Sequence, residues 1–108
     1  MTFKEKVIKL IQAVPYGKVA SYSQIALLAG SPRSARQVGS ILNHIEHELE
    51  LPWWRVVNNT GRISIKGSDY SPIDQKLRLE AEGLAINVDL TFEIEKYRWS
   101  PPQHLYSL

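Results

Sequence analysis

Apolar residues recur at helical spacing from the start of the chain. Phe3, Val7, Leu10, Ile11 and Val14 mark a first helix. Thr2 and Glu5 stand at the spacing of a capping box, in which a hydroxyl and a carboxylate satisfy free backbone N–H groups. Pro15-Tyr16-Gly17 ends this helix in a turn, and Lys18-Val19-Ala20 reads as a short extended piece. A second capping box, Ser21-Tyr22-Ser23-Gln24, opens a short helix through Ile25, Ala26, Leu28 and Ala29, which Gly30 stops. Ser31-Pro32 then predicts a third helix, with Ser31 as N-cap and Pro32 at the first helical position. Its apolar stripe is Ala35, Val38, Ile41, Leu42 and Ile45, with Arg33, Arg36, Gln37, Ser40 and Asn43 largely on the other face. Two short helices joined by a glycine-containing turn match the helix-turn-helix pattern, with the second as recognition helix. A plain helical hairpin gives the same pattern.

The second half is patterned differently. Trp53-Trp54-Arg55-Val56-Val57 reads as extended, Asn58-Asn59-Thr60-Gly61 as turn, and Ile63-Ser64-Ile65 alternates like a strand. Ser71-Pro72 opens a fourth helix through Ile73, Leu77 and Ala81, closed by Gly83. Ala85-Ile86-Asn87-Val88 and Phe92-Glu93-Ile94 predict a small terminal hairpin, and residues 101–108 a loosely held tail. There is no internal repeat, low-complexity tract or linker. The expectation is one α+β domain over residues 1–108, with a core of 1–98 and a tail of 99–108.

Composition narrows the chemistry. The 108 residues, 44% hydrophobic and 22% charged, suit a single globular core. No apolar run approaches the roughly 20 residues that span a bilayer, so no membrane association is expected. Met1-Thr2-Phe3-Lys4-Glu5 carries an early acid and no apolar h-region, so no signal peptide is expected either. The net charge of +2 permits nucleic-acid binding without demanding it. There is no cysteine, which excludes disulfides, thiolate metal sites and a cysteine nucleophile.

Pro15-Tyr16-Gly17-Lys18-Val19, Ser21-Tyr22, Ala35-Arg36-Gln37-Val38-Gly39, Pro52-Trp53-Trp54-Arg55-Val56-Val57 and Glu82-Gly83 run in order. This set resembles the DNA-binding domain of the O6-alkylguanine-DNA alkyltransferases, from the first helix to about Gly83. The family's central motif reads Pro-Cys-His-Arg-Val. Here Trp53 takes the Cys position and Trp54 the His position. Tryptophan in place of the cysteine marks the alkyltransferase-like proteins, in which the N-terminal domain of full alkyltransferases is also expected to be absent. His44, His47 and His104 do not match the family histidine and read as surface or helix-end residues.

The resemblance implies a fold, a site and a partner. The fold is a helix-turn-helix, winged-helix-like domain with a small strand-containing lesion pocket, and the recognition helix enters the minor groove. Tyr22 matches the tyrosine that rotates a nucleotide out of the duplex. Arg36 matches the finger that fills the gap in the stack, a task suited to a planar, permanently charged head. Ser34 and Gln37 join these as DNA contacts. Tyr22, Trp53, Val56, Lys66 and Gly67 are the expected lesion pocket, Lys66 standing where some relatives place an arginine.

Alkyl transfer needs an activated thiolate. Without it Glu82 has nothing to activate, and no catalytic residue, metal or cofactor is implied. The implied partners are double-stranded DNA containing O6-alkylguanine, bound by a monomer, and nucleotide excision repair proteins. The implied location is the cytoplasm and nucleoid in a prokaryote, or the nucleus in a eukaryote. The alternative is a sequence-specific transcription regulator using the same helix-turn-helix, although no dimerisation helix is evident.

Overall fold

The computed structural model describes residues 1–44, 50–63 and 71–107. Helix α1 spans Phe3–Ala13, and both halves of its Thr2–Glu5 capping box form. Strand β1 (Ala20–Ser21) leads directly into α2 (Tyr22–Leu28). The Ser21–Gln24 box closes there as the spacing predicts. Gly30, at φ +87°, then turns the chain away. Helix α3 spans Ala35–His44 and packs across α2, completing the helix-turn-helix.

Helix α3 starts later than Ser31-Pro32 suggests. The Ser31 N–H is spent on the Ala26 carbonyl at 3.0 Å, and the Ser31 carbonyl accepts from Ser34 N–H at 3.0 Å. Residues 32 and 33 are therefore a turn, and the helical ladder opens with Val38 N–H donating to Ser34. The stripe itself is in place: Val38 is buried, and Ile41 and Leu42 pack against the core. Ile45 lies outside the described residues.

Trp53–Arg55 forms a single 3₁₀ turn rather than extended chain, and only Val56–Val57 is strand, β2. Strands β1 and β2 pair in parallel, Ala20 opposite Val56 and Ser21 opposite Val57. Side chains alternate across a strand, so this small sheet separates two cores. Ala20 and Val56 face one formed with Val7, Leu10, Ile11, Ile25 and Val38. Val19 and Val57 face another, formed with Ile63, Leu79, Leu84, Phe92 and Ile94. The helical half and the second half of the chain thus share one backbone wall.

Helix α4 (Pro72–Ala81) is capped by Ser71, whose hydroxyl accepts from Asp74 N–H. It buries a different face from the Ile73/Leu77 stripe, which is 57% and 59% exposed. Gln75 and Leu79 point inward instead. The Gln75 amide donates to the carbonyls of Trp54 at 3.1 Å and Val56 at 3.0 Å. A buried amide that satisfies two loop carbonyls outweighs the apolar pattern, because those carbonyls have no water to bond.

The expected terminal hairpin does not form. Asp89 and Thr91 close a tight loop, an isolated bridge joins Arg62 to Thr91, and Ile94–Tyr97 is a short helix, α5. Val19 instead bridges Arg98, with Trp99 N–H donating to the Val19 carbonyl at 2.7 Å. The C-terminal segment is not loose either. Trp99 and Leu105 are buried in the first core, and residues Gln103–Ser107 form a 3₁₀ turn. The Ser64 and Ile65 half of the predicted strand lies outside the described residues.

Leu105→Ala should therefore destabilise the fold by about 2–3 kcal/mol, the cost of an internal cavity rather than of a frayed end. Urea unfolding should show a lower midpoint at unchanged slope. An unshifted midpoint would return this segment to the status of a loose tail.

Candidate nucleic-acid interface

The helix-turn-helix carries a groove of about 300 Å³ lined by Tyr22, Ser23, Ala35, Arg36, Gly39, Asn58 and Asn59. Three elements build it: the first turn of α2, the first turns of α3 and the loop after β2. Tyr22 is held because its ring packs against the first core. Burial pushes its hydroxyl up, so the phenol stays protonated and can donate as well as accept. Arg36 is exposed in the first turn of α3 and makes no ion pair among the described residues. Gly39 faces the Tyr22 ring, where a Cβ would lie in ordinary contact, 3.9 Å from Cε1.

Ser34 immediately precedes α3, its hydroxyl 2.6 Å from that of Ser31, and Gln37 is exposed on the helix. Tyr22 and Arg36, 14 positions apart in sequence, thus line one concavity. The same concavity takes in Asn58 and Asn59, which read in the sequence only as turn formers.

Trp53 is 8% exposed and stands edge-on to Trp54, with ring centroids 6.0 Å apart and planes at 90°. The Arg78 guanidinium lies over both rings, 5.5 Å from the Trp53 centroid and 5.0 Å from that of Trp54. Such cation–ring contacts hold aromatic walls in one orientation. Val56 is fully buried in the core, and its carbonyl accepts from Gln75. Lys66 and Gly67 lie outside the described residues. His44 and His104 are exposed, His44 at the end of α3 with Nδ1 2.7 Å from the Ser40 carbonyl.

The sequence left Trp54 without a role and Glu82 without a partner; the structure joins them. Trp54 Nε1 donates to Glu82 Oε2 at 2.7 Å. Arg55 grips the same carboxylate through Nε, at 3.0 and 3.1 Å, and through Nη2 at 2.8 Å. The Gly17 N–H donates to Oε1 at 2.9 Å, and Arg55 Nη1 reaches the Val14 carbonyl at 2.9 Å. Gly17 sits at φ +78°, which turns its amide onto the carboxylate.

Burial pushes the Glu82 carboxyl up, but the Arg55, Gly17 and Trp54 hydrogen bonds and the Arg55 charge together hold it below its ordinary range. An indole N–H only donates. Trp54 can therefore anchor to an ionised Glu82, but it cannot relay a proton from a neighbour. The one signal that could have exposed this contact was positional, namely that Trp54 stands at the family histidine and Glu82 at the family glutamate.

A recognition helix, an aromatic and a cation sharing one groove, and a tryptophan where a nucleophile would stand together define a helix-turn-helix DNA-binding domain of alkyltransferase type. The chain belongs to the 6-O-methylguanine DNA methyltransferase family, whose DNA-binding domain matches residues 2–84. A DNA base-flipping protein of Escherichia coli (strain K12) is 40% identical over 99 residues, covering 92% of this chain and 75% of its own. Alkyltransferase-like protein 1 of Schizosaccharomyces pombe is 38% identical over 103 residues, covering 92% of this chain and 95% of its own. The crystal structure of S. pombe Atl1 in complex with damaged DNA containing O6-carboxymethylguanine superposes with a TM-score of 0.79 at 38% identity, covering 92% of this chain and 95% of that one.

Because the folded Glu82 carboxyl is depressed, the stability it contributes is fully present above the ordinary carboxylate range and is lost as pH falls through the folded value. Glu82→Gln leaves Arg55 unpaired in a largely buried site and should cost about 3 kcal/mol at neutral pH. It should also flatten the acid limb of the stability curve. Urea melts from pH 7 down to pH 3 check both, and equal acid slopes in parent and variant would refute the assignment.

Proposed function

We propose that this chain binds double-stranded DNA containing O6-alkylguanine, turns the modified nucleotide out of the stack and holds it without accepting the alkyl group. The observation that carries the reading is the shared groove. Tyr22 sits where it can crowd a target phosphate, and Arg36 projects from the recognition helix with its guanidinium free to fill the vacated space. Flipping costs a few kcal/mol and is cheapest where pairing is already weak. An O6-alkyl group removes a Watson–Crick hydrogen bond, so the lesion itself lowers that cost.

Trp53 supports the lesion reading over sequence-specific regulation. It is a large apolar ring at the position where the enzymes carry their thiol, 8% exposed, edge-on to Trp54 and beneath Arg78, so contact with an alkyl group requires the Arg78 side chain to move aside. The chain contains no cysteine to take up the alkyl group. The relatives named for base flipping and the Atl1 complex with O6-carboxymethylguanine DNA support the same function for this chain. A protein that captures damage without chemistry must hand it on, and nucleotide excision repair proteins are the partners we assign. We place the protein with the DNA, in the cytoplasm and nucleoid of a prokaryote or the nucleus of a eukaryote, acting as a monomer.

Arg36→Ala should weaken binding to an O6-methylguanine duplex ten- to a hundred-fold, about 1.4–2.7 kcal/mol. A gel shift against the unmodified duplex of equal sequence is the measurement. Lesion affinity that survives in a folded variant would remove the finger assignment, and equal affinity of the parent for both duplexes would favour the regulator.

Restoring the chemistry is a separate test. A thiol introduced by Trp53→Cys alone lacks a base, whereas Trp53→Cys with Trp54→His returns an imidazole to the Glu82 carboxylate. Only the double variant should move radiolabel from O6-methylguanine DNA to protein at an appreciable rate. Transfer by the parent would overturn the non-enzymatic reading.

A further inference from the structure

The groove does not end at the helix-turn-helix. A second concavity of about 420 Å³ adjoins it, its walls including Ser23, Gln24, Leu27, Asn59, Arg98 and Tyr106. Ser23 and Asn59 line both spaces, so the two meet at these residues, between the start of α2 and the loop after β2. Its far wall is the segment after α5, beyond residues 2–84 that match the family domain. Among the described residues, the cation lining that wall is Arg98.

Two kinds of contact hold this arginine. Neutral ones fix its position: Nη2 donates to Asn59 Oδ1 at 3.1 Å and Nη1 to Gln24 Oε1 at 3.3 Å, while its backbone bridges Val19. Among the described residues its charge is met only by Glu95, with Nη2 2.7 Å from Oε1. That carboxylate is 78% exposed while the arginine side chain is 24% exposed. An ion pair so open to water is worth little and is screened by salt. The guanidinium is therefore placed by groups that would stay put, and paired with one that can swing into solvent.

We infer that Arg98 is a further DNA contact, made to a backbone phosphate of the strand that runs from the Tyr22–Arg36 groove past Ser23 and Asn59 to the second concavity. The planar fork of an arginine suits two phosphate oxygens, as it now suits the two Glu95 oxygens. On binding, phosphate replaces Glu95, and the Asn59 and Gln24 contacts keep the fork aimed. Ser23 and Asn59, exposed between the two spaces, offer a hydroxyl and an amide along the same path. Exposed Leu27 and Tyr106 line the rim, where they can pack against sugars. The contact carries no base information, so it acts on damaged and undamaged DNA alike.

This inference rests on the DNA-binding reading, and the experiment separates the two. Affinity of the full chain for O6-methylguanine and unmodified duplexes of one sequence is measured by fluorescence anisotropy from low to moderate salt. Arg98→Gln should weaken both duplexes by a similar factor, about fivefold at low salt, and reduce the steepness of log affinity against log salt by about one. Glu95→Gln, which removes the competing carboxylate and leaves Arg98 in place, should tighten both. Weaker binding by Arg98→Gln with an unchanged salt slope means that Arg98 only positions Asn59, and overturns the inference. So does Glu95→Gln that binds no better than the parent. A parent that binds neither duplex would instead bring down the proposed function itself.

Discussion

The structure depends on one carboxylate. Glu82, at the end of α4, collects donors from three residues in two parts of the chain: the amide of Gly17 after α1, and the guanidinium of Arg55 and indole of Trp54 in the tryptophan turn. Arg55 extends the tie to the last carbonyl of the first helical segment at Val14. A largely buried carboxylate is tolerable only when its oxygens are fully engaged, and here each receives at least two donors. That requirement fixes how α1, the tryptophan turn and α4 sit together, and so where Trp53 stands.

The two-residue strands have a consequence out of proportion to their length. Pairing Ala20 with Val56 puts the start of α2 beside the tryptophan turn, and the alternation of side chains sends neighbouring residues into separate cores. Tyr22 follows β1 directly, and Asn58 follows β2 directly. The register of this pairing therefore brings the residue at the head of α2 and the loop after β2 to the edge of one groove. The C-terminal segment closes the other side through Val19, Trp99 and Leu105.

Two tryptophans stand at the positions of the family's cysteine and histidine, and the second is anchored to the buried carboxylate. Trp54 points its ring nitrogen at Glu82, as a donor alone. Arg78, a residue without a motif to announce it, lies over both indoles and takes part in fixing them. The site has become a wall held by hydrogen bonds and cation–ring contacts, with every partner of the carboxylate a donor.

What the sequence determined by itself is what depends on near neighbours. The capping boxes of Thr2 with Glu5 and Ser21 with Gln24, the Ser71 cap and the Gly30 turn all formed as read, because each joins groups a few residues apart. The ordered motif set likewise placed Tyr22 and Arg36 on the helix-turn-helix. Where the reading failed, a distant partner had intervened. Ser31 gave its amide to Ala26 and delayed α3, Gln75 claimed the inner face of α4 from Ile73 and Leu77, and Leu105 found a core that nothing adjacent in sequence announced. The joining of Trp54 to Glu82 across 28 positions, and of Arg98 to Asn59 across 39, belongs to the tertiary structure alone. Local geometry follows from the covalent spacing of a few residues, whereas a buried charge or amide takes whichever donor the folded chain brings within reach.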